Sequence, residues 1–306
     1  MENTAPPKPI QHRVLFFGTH GNFSYAVLNY LINRGVNIIG LVIPGSKPTQ
    51  ALDTLNGIPI VQETAHATVE NLALARHFPI TYTDDPQTSQ FGYEIEKLQP
   101  DYILVACFPY RLPSSVFQLP KVATLNIHPS LLPGYRGPQP LFWQLRNGEL
   151  KMGVSLHLVN EELDAGDILL QTEVPLRPGM RGRAIESRLG EFGAKQFLEA
   201  MRLYQLNNIN PQQQSWIKAT YNPNPKYEDF EISTNWSARR AFMFMRGTEE
   251  WGRGYQIQVG DTMIVLKTAM AYSPSGRIDK PYELEDNYIT IQFSPGLVNA
   301  FIESIN

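Results

Sequence analysis

The pattern that most constrains the fold is a series of short, continuous apolar runs separated by stretches of helical periodicity, between residues 13 and 206. Continuous apolar runs are typical of strands buried on both faces, and such strands form largely parallel sheets covered by helices. We predict strands at residues 14–17, 36–43, 102–106, 123–127, 152–159 and 168–174. We predict helices at residues 25–32, 71–77, 93–98, 138–147 and 183–206. The fold class is therefore α/β with a Rossmann-like, largely parallel sheet.

The composition changes after residue 206. The stretch that follows, NNINPQQQSWIKATYNPNP, is rich in Asn, Gln and Pro, as linkers are. Beyond it, Gly260-Asp261 separates two apolar stretches and indicates a hairpin, residues 287–293 indicate a strand, and residues 237–246 a short helix. We predict a disordered tail at 1–12, a main domain at 13–206, a linker at 207–229 and a small, mainly β domain at 230–306.

Composition excludes several classes of protein. The 42% hydrophobic and 18% charged content is typical of a soluble globular protein, and no apolar run reaches the length of a membrane span. The polar start of the chain does not resemble a secretory signal, and a single cysteine, Cys107, indicates a reducing cytoplasm. A formal net charge of -3 gives no general attraction to phosphate backbones.

The densest cluster of chemically distinctive residues is LNIHPSLLPGYRGPQP, at residues 125–140. Asn126 and His128 are two apart at the end of a predicted strand, so their side chains share a face. Ligands of open parallel sheets bind outside the carboxyl ends of the strands, which is where this pair lies. A second polar loop, NEELDAGD, follows a later strand, and we expect it to bring Asp164 to the same end of the sheet.

An amide, an imidazole and a carboxylate together suit acyl transfer without a covalent intermediate. Asn126 and a protonated His128 can donate hydrogen bonds to the oxyanion of a tetrahedral species. Asp164 can stabilise the imidazolium and relay the proton that an attacking amine loses. Taken singly, each of these residues is more often a turn-former or a satisfied polar group. Their combination with a loop of defined conformation, which turns through Pro129, Pro133, Gly134 and Gly137, favours a catalytic role.

These residues resemble the folate-dependent formyltransferase family, which includes glycinamide ribonucleotide, methionyl-tRNA and sugar-amine formyltransferases. The resemblance is carried by Asn126-Ile127-His128-Pro129-Ser130-Leu131-Leu132-Pro133, Tyr135-Arg136-Gly137 and Leu163-Asp164-Ala165-Gly166-Asp167. It covers residues 13–206 and implies a formyltransferase fold, with that segment as the catalytic domain. It also implies that Asn126, His128 and Asp164 are the catalytic residues, and that 10-formyltetrahydrofolate is the co-substrate.

The same resemblance implies where the folate binds. Residues 106–113 (ACFPYRLP) match the segment whose backbone reads the pterin ring in the family. The folate-binding residues implied in this way are Phe108, Tyr110, Arg111, Leu112, Ser130, Leu131, Leu132, Pro133, Glu161 and Leu163. For Phe108 and Leu112, core packing is an equally good interpretation. No histidine or cysteine has metal-ligand spacing, so we expect no metal.

Charge bears on the amine acceptor. Methionyl-tRNA formyltransferases carry a basic loop after the second strand, whereas residues 44–57 of this chain contain only Lys47 as a basic residue. Residues 231–306 contain seven Lys or Arg and nine Asp or Glu, a net charge of -2. A tRNA-binding face needs the opposite balance. A small-molecule or sugar-nucleotide amine is therefore favoured over tRNA, although Arg239, Arg240 and Arg246 could form a local basic cluster.

Other interpretations stay open on sequence alone. The same three residues could hydrolyse 10-formyltetrahydrofolate with water in place of the amine, or the chain could be an inactive folate-binding or scaffold module. His20, in the loop after the first strand, is a candidate for contact with substrate, while we expect His157 to be structural. The sequence carries no clear signal of oligomeric state.

Overall fold

The computed structural model describes residues 12–46, 54–55, 58–59 and 68–305. The predicted tail, apart from His12, lies outside the described residues, and so does Lys47 with most of its loop. Within the described ranges, none of the helices is long and apolar enough to cross a membrane.

Strands of the described residues form three sheets. In chain order they are β1 (Val14–Phe17), β2 (Ile38–Pro44), β3 (Thr54–Leu55), β4 (Ile58–Pro59), β5 (Ile80–Thr83), β6 (Tyr102–Val105), β7 (Ala123–His128), β8 (Met152–Leu158), β9 (Ile168–Val174), β10 (Tyr255–Val259), β11 (Thr262–Ser273), β12 (Tyr282–Glu285), β13 (Tyr288–Gln292) and β14 (Leu297–Ile305). The largest sheet has seven strands in the order β5-β2-β1-β6-β7-β8-β9, and β3 and β4 form a two-stranded sheet.

The first five strands of the large sheet are parallel. β2 pairs with β5 and β1, β6 pairs with β1 and β7, and each of these pairings is parallel. Every residue of β1 and β6 is buried, as expected for strands with helices on both faces. The predicted α/β, largely parallel fold is confirmed.

β8 reverses this direction. The amide of Val159 donates to the carbonyl of Thr124 (3.0 Å), whereas Asn126 lies beside His157 (3.0 Å). Residue numbers on the two strands therefore run in opposite senses, which makes β8 antiparallel to β7. The loop that follows β8 must consequently fold back to reach residues at the end of β7.

Several helices of the described residues begin or end at local capping signals. They are α1 (Asn22–Asn33), α2 (Val69–Arg76), α3 (Ser89–Lys97), α4 (Ser114–Phe117), α5 (Pro140–Asn147), α6 (Gly182–Gln205) and α7 (Ala238–Thr248). The hydroxyls of Thr68 and Thr88 accept from backbone amides in the first turns of α2 and α3, at 3.2 and 3.3 Å. Pro140 suits the first turn of α5, which ends at Gly148 with a φ of 73°.

The C-terminal sheet has five strands in the order β10-β11-β14-β13-β12. All its neighbouring strands are antiparallel, and the predicted hairpin joins β10 to β11 through Gly260, whose φ is 60°. α7 packs against β11. The prediction of a mainly β C-terminal part is confirmed.

The chain forms two compact units, each assembled from separate stretches of sequence. The first contains residues 1–128, 156–170 and 193–213, and the second contains residues 129–155, 171–192 and 214–306. The core of the first unit includes Leu15, Phe17 and Ile103, and that of the second includes the aromatic rings of Phe142 and Phe244, which lie 5.3 Å apart. The domain boundaries at 12, 206 and 229 stay predictions.

Five described strands, β3, β4, β5, β12 and β14, escaped prediction from the sequence, and the first two have only two residues each. β5 has only four residues and β12 is largely exposed, so neither contains a clear apolar run. β14 begins with alternating burial but its last three residues are exposed. These strands form through pairing with neighbours rather than through a strong local pattern.

Candidate active site

Two polar side chains, Asn126 and His128, project from the carboxyl-terminal half of β7. The pairing of β7 with β6 fixes their position, because Asn126 lies opposite Val105 in the parallel register. His128 is only 4% exposed, so its imidazole is largely removed from bulk water. A buried ring beside a partly buried amide makes a polar site whose geometry is set by a central strand.

Asp164 reaches this site through the loop between β8 and β9. Its backbone is in the left-handed region, with a φ of 53°, which aspartate tolerates better than most residues. Gly166 lies against the end of β8: a Cβ there would clash with the carbonyl oxygen of Leu158 and lie 2.8 Å from its carbonyl carbon. The amide of Leu158 in turn donates to the carbonyl of Asp167 (2.9 Å). The loop can therefore close tightly over β8 only with glycine at residue 166.

One oxygen of Asp164 is the centre of the site. Oδ1 accepts from Nδ2 of Asn126 at 3.1 Å and lies 3.6 Å from Nδ1 of His128. It also lies 3.7 Å from Nε2 of His157. Asp164 is 7% exposed, so its attraction to the Asn126 amide and to a protonated His128 acts in a medium of lower dielectric than water. The three residues that the sequence singled out as a catalytic set therefore meet around one carboxylate oxygen.

This arrangement can stabilise negative charge and move a proton. The amide of Asn126 and a protonated His128 are donors, and the carboxylate of Asp164 can accept or relay a proton. Since Nδ1 of His128 faces Asp164, Nε2 lies on the other edge of the ring. No covalent nucleophile is required for an acyl group to be transferred at such a site.

The segment implied to read the pterin ring lies in the same unit. The ring of Phe108 contacts those of Phe17 and Tyr110 edge-on, with centroids 5.2 and 5.6 Å apart. Leu112 is 8% exposed and belongs to the apolar core, as the alternative interpretation of this residue proposed. Arg111 is exposed. Leu112 can therefore contribute to a pocket wall only from within the core.

Arg111 also links the two stretches implied to hold the folate. Its guanidinium donates to the backbone carbonyl of Glu161, and its own carbonyl accepts from Nε2 of Gln87 (2.9 Å). Leu163, in the same loop as Glu161, is 42% exposed. The structure thus joins residues 106–113 to the Asp164 loop through one side chain.

The remaining implied folate residues, 130–133, lie in the second unit and are held by side chains of β8 and β9. The hydroxyl of Ser155 accepts from the amide of Leu132 (3.0 Å) and donates to the carbonyl of Ser130 (2.6 Å). Gln171 donates to the carbonyl of Leu132 (2.8 Å). Ser130 and Leu132 are buried, while the other two residues, Leu131 and Pro133, are partly exposed. Only Leu131 and Pro133 therefore present much surface to solvent.

Sequence reasoning missed the residues that organise these loops. Ser155 and Gln171 were not identified, and His157 was interpreted as structural. A signal was present in β8, where Ser155 and His157 alternate with apolar residues although the whole stretch from 152 to 157 is buried. Polar groups on a buried strand face need partners, which for Ser155 lie in the loop after β7 and for His157 are Asn126 and the carbonyl of Leu158.

His20 belongs to a second polar cluster. Its Nδ1 lies 3.0 Å from Oε2 of Glu70, whose other oxygen accepts from the hydroxyl of Tyr82 (3.1 Å). Burial and this hydrogen bond raise the pKa of Tyr82. Among the described residues there is no group of His, Cys, Asp or Glu arranged to hold a metal.

Two of the three arginines considered as a basic cluster, Arg240 and Arg246, are engaged in contacts inside the second unit. Arg240 stacks on Trp236, with Cζ 3.8 Å from the ring centroid, and its Nε donates to the carbonyl of Arg146 (2.7 Å). Arg246 pairs with Glu249 at 3.0 Å. These contacts engage both side chains within the protein.

Comparison with known proteins defines the family. The formyl transferase family matches residues 12–201, well over half of the chain. The chain belongs to the formyltransferase family. This formyltransferase is 31% identical over 255 residues to methionyl-tRNA formyltransferase of Thermodesulfovibrio yellowstonii, a match that covers 83% of this chain and 79% of the relative. It is 30% identical over 256 residues to the protein of the same name from Clostridioides difficile, with 84% and 80% covered.

Solved structures share the fold of this formyltransferase. The N-formyltransferase from Helicobacter canadensis, in complex with folinic acid and dTDP-3-aminofucose, aligns with a TM-score of 0.66. The alignment covers 94% of this chain and 98% of that one at 16% identity, which shows similarity of fold. As a member of the family, this protein is a folate-dependent formyltransferase.

Proposed function

We propose that this enzyme transfers the formyl group of 10-formyltetrahydrofolate to a primary amine, with Asn126, His128 and Asp164 as its catalytic residues. The observation that carries the proposal is the approach of Asn126 and His128 to Oδ1 of Asp164, at 3.1 and 3.6 Å. Two hydrogen-bond donors and one proton acceptor then lie together in a buried site, which is what attack by an amine on a formyl carbon requires.

In this mechanism the amine nitrogen forms a bond to the formyl carbon and the carbonyl oxygen becomes an oxyanion. The amide of Asn126 and the imidazolium of His128 donate to that oxygen. Asp164 takes the proton that the amine loses and relays it to N10 of the folate, whose bond to the carbon then breaks. The products are the formylated amine and tetrahydrofolate, and no group stays attached to the protein.

The burial of His128 and Asp164, at 4% and 7% exposed, adds to the effect of these groups. A donor aimed at a developing oxyanion in a site of low dielectric accelerates such reactions by about 10²- to 10³-fold. A positioned acid or base contributes about 10²- to 10⁴-fold. The three residues together can therefore supply much of the rate enhancement without any further catalytic group.

For the acceptor, we propose a small-molecule or sugar-nucleotide amine. Residues 231–306 have a net charge of -2, whereas phosphate contacts from Lys and Arg supply most of the affinity for nucleic acid. Arg240 and Arg246 are engaged with Trp236 and Glu249. The protein from Helicobacter canadensis offers a comparison, because its complex contains an amino sugar attached to a nucleotide.

Methionyl-tRNA is the second candidate acceptor. It is favoured by the names of relatives about 30% identical over most of their length, from Thermodesulfovibrio yellowstonii and Clostridioides difficile. Binding of tRNA would depend steeply on salt, whereas turnover of a small amine would change little between 50 and 200 mM salt.

The experiment is an acceptor screen with 10-formyltetrahydrofolate, in which released tetrahydrofolate and product mass are both measured. The panel contains nucleotide-linked amino sugars, simple primary amines, methionyl-tRNA and no acceptor. We expect formylated product from a member of the small-amine group and little turnover without amine. Full-rate folate turnover without amine would identify a hydrolase, and folate binding without turnover across the panel would identify a binding module. Product from methionyl-tRNA alone would favour the second candidate.

A further inference from the structure

A second histidine, His157, lies against the proposed catalytic residues although the mechanism above does not use it. It is 2% exposed, in β8 beside β7. Its Nδ1 lies 2.8 Å from the carbonyl oxygen of Leu158, and its Nε2 lies 3.0 Å from Nδ2 of Asn126. Both ring nitrogens thus have identified partners in the same small region.

These two contacts define the form of the imidazole. A carbonyl oxygen only accepts, so Nδ1 must carry the proton that it donates to Leu158. Nδ2 of Asn126 only donates, so Nε2 of His157 must be the unprotonated acceptor. The contacts are therefore mutually consistent for a neutral His157 with its proton on Nδ1.

The same contacts define the orientation of the Asn126 amide. Nδ2 faces two acceptors, Nε2 of His157 and Oδ1 of Asp164, at 3.0 and 3.1 Å. Rotating the amide by half a turn would set its oxygen against the carboxylate oxygen of Asp164, which repels it, and Nε2 of His157 can accept from Nδ2 because Nδ1 carries the ring proton. His157 and Asp164 together therefore favour a single orientation of this side chain.

The angle between the two acceptors leaves Asn126 a donor for substrate. The acceptors lie 3.7 Å apart, so by the law of cosines they subtend about 75° at Nδ2. This angle is smaller than the angle between the two N–H bonds of the carboxamide. One hydrogen can lie between the acceptors while the other points away from them, towards a substrate oxygen.

We propose that His157 is a positioning residue, which orients the carboxamide of Asn126 so that one N–H is aimed at the formyl oxygen in the transition state. Preorganisation of this kind matters because a donor that need not reorient during the reaction retains its full electrostatic effect. The inference rests on the proposed function, since it assumes that Asn126 acts on the formyl group.

Two conservative variants separate the positioning role from a structural one. In His157→Gln, the end of the side chain can still accept a bond from Asn126, whereas the group facing Leu158 is lost. In His157→Asn, the shorter amide can still donate to Leu158 but does not reach Asn126. We expect the Asn variant to lower kcat by about 10- to 100-fold, the size of effect that a misplaced group produces. The Gln variant should stay within about threefold of wild type, and the KM for 10-formyltetrahydrofolate should change little in either variant.

If His157 has a purely structural role, the Gln variant should lose as much kcat as the Asn variant or more, and both variants should have lower thermal stability. Thr124→Val is the matched control, because it removes another hydrogen bond of β7, a partly buried one from the hydroxyl to the carbonyl of Phe117 (2.7 Å), without changing a residue of the site. It should lower the melting temperature and leave kcat unchanged. If His157→Asn does not fold, the Gln variant decides: a folded protein with a large loss of kcat overturns the proposal.

A double-mutant cycle with Asn126→Ala completes the test. If His157 acts through Asn126, then His157→Asn should have little further effect on kcat once Asn126 is alanine. If Asn126→Ala is slow but the losses of kcat from the two single variants multiply in the double variant, the positioning role alone is overturned. Asn126→Ala at the wild-type rate would instead refute the proposed catalytic function of Asn126, and the two failures are thus distinguishable.

Discussion

Replacement of Gly166 by alanine tests whether the close approach of its loop to β8 is what delivers Asp164 to the site. The added Cβ would clash with the carbonyl oxygen of Leu158 and lie 2.8 Å from its carbonyl carbon, closer than real Cβ atoms come. Because these neighbours are backbone atoms of a strand in the sheet, the loop rather than the strand must move. The clash is relieved only by a shift of about 1 Å, and Asp164 is two residues away.

The magnitude follows from the distances around Oδ1 of Asp164. Contacts of 3.1 and 3.6 Å to Asn126 and His128 would lengthen beyond useful range, and a misplacement of about 1 Å costs about 10²-fold in rate. Overpacking of this kind also costs about 1–3 kcal/mol of unfolding free energy. We therefore expect Gly166→Ala to lower kcat by about 10²-fold and to destabilise the protein measurably.

The assay is turnover of 10-formyltetrahydrofolate with the acceptor found in the screen, together with urea unfolding. Gly92→Ala is the matched control, since Gly92 lies within α3 and its Cβ would meet nothing within 4 Å. This control should raise the unfolding free energy by about 0.5–1 kcal/mol and leave kcat unchanged. Wild-type kcat and stability in Gly166→Ala would refute the idea that this glycine determines the position of Asp164.

Three further outcomes follow from the structure. Asp164→Asn, which keeps the size of the side chain but cannot take a proton, should lower kcat by about 10²- to 10⁴-fold, and a loss within about tenfold would contradict its role. Ser155→Ala should lower the free energy of unfolding in urea by about 1–3 kcal/mol, because it leaves the buried amide of Leu132 without its partner at 3.0 Å. A decrease below about 0.5 kcal/mol would show that this hydrogen bond does not stabilise the loop. Burial and a hydrogen bond to Glu149 raise the pKa of Tyr135 to about 12. An unfolded tyrosine titrates near pH 10, so this contribution to stability is complete below about pH 10 and is lost as the pH approaches 12. Tyr135→Phe should therefore lose less in melting temperature between about pH 9 and 11 than wild type does, and an equal loss would contradict the assignment.

Much of the candidate site could be predicted because its signals are local in the sequence. Asn126 and His128 share a face because strand side chains alternate, and they lie at a strand end because the apolar run stops there. Asp164 was predicted as their partner because a polar loop between two predicted strands would return it to the same end of the sheet, and the family resemblance implied the same residue. The structure brings these three residues together, which no local pattern could establish.

The sequence by itself determined that the chain folds into an α/β sheet, because burial on both faces requires continuous apolar strands. It also determined which residues could perform acyl transfer. Tertiary structure alone decided that β8 runs antiparallel to β7, which sets His157 beside Asn126, and that Gly166 lets Asp164 fold back over that strand. These relations depend on strand direction and register between residues about 30 positions apart in sequence, and composition and periodicity do not encode them.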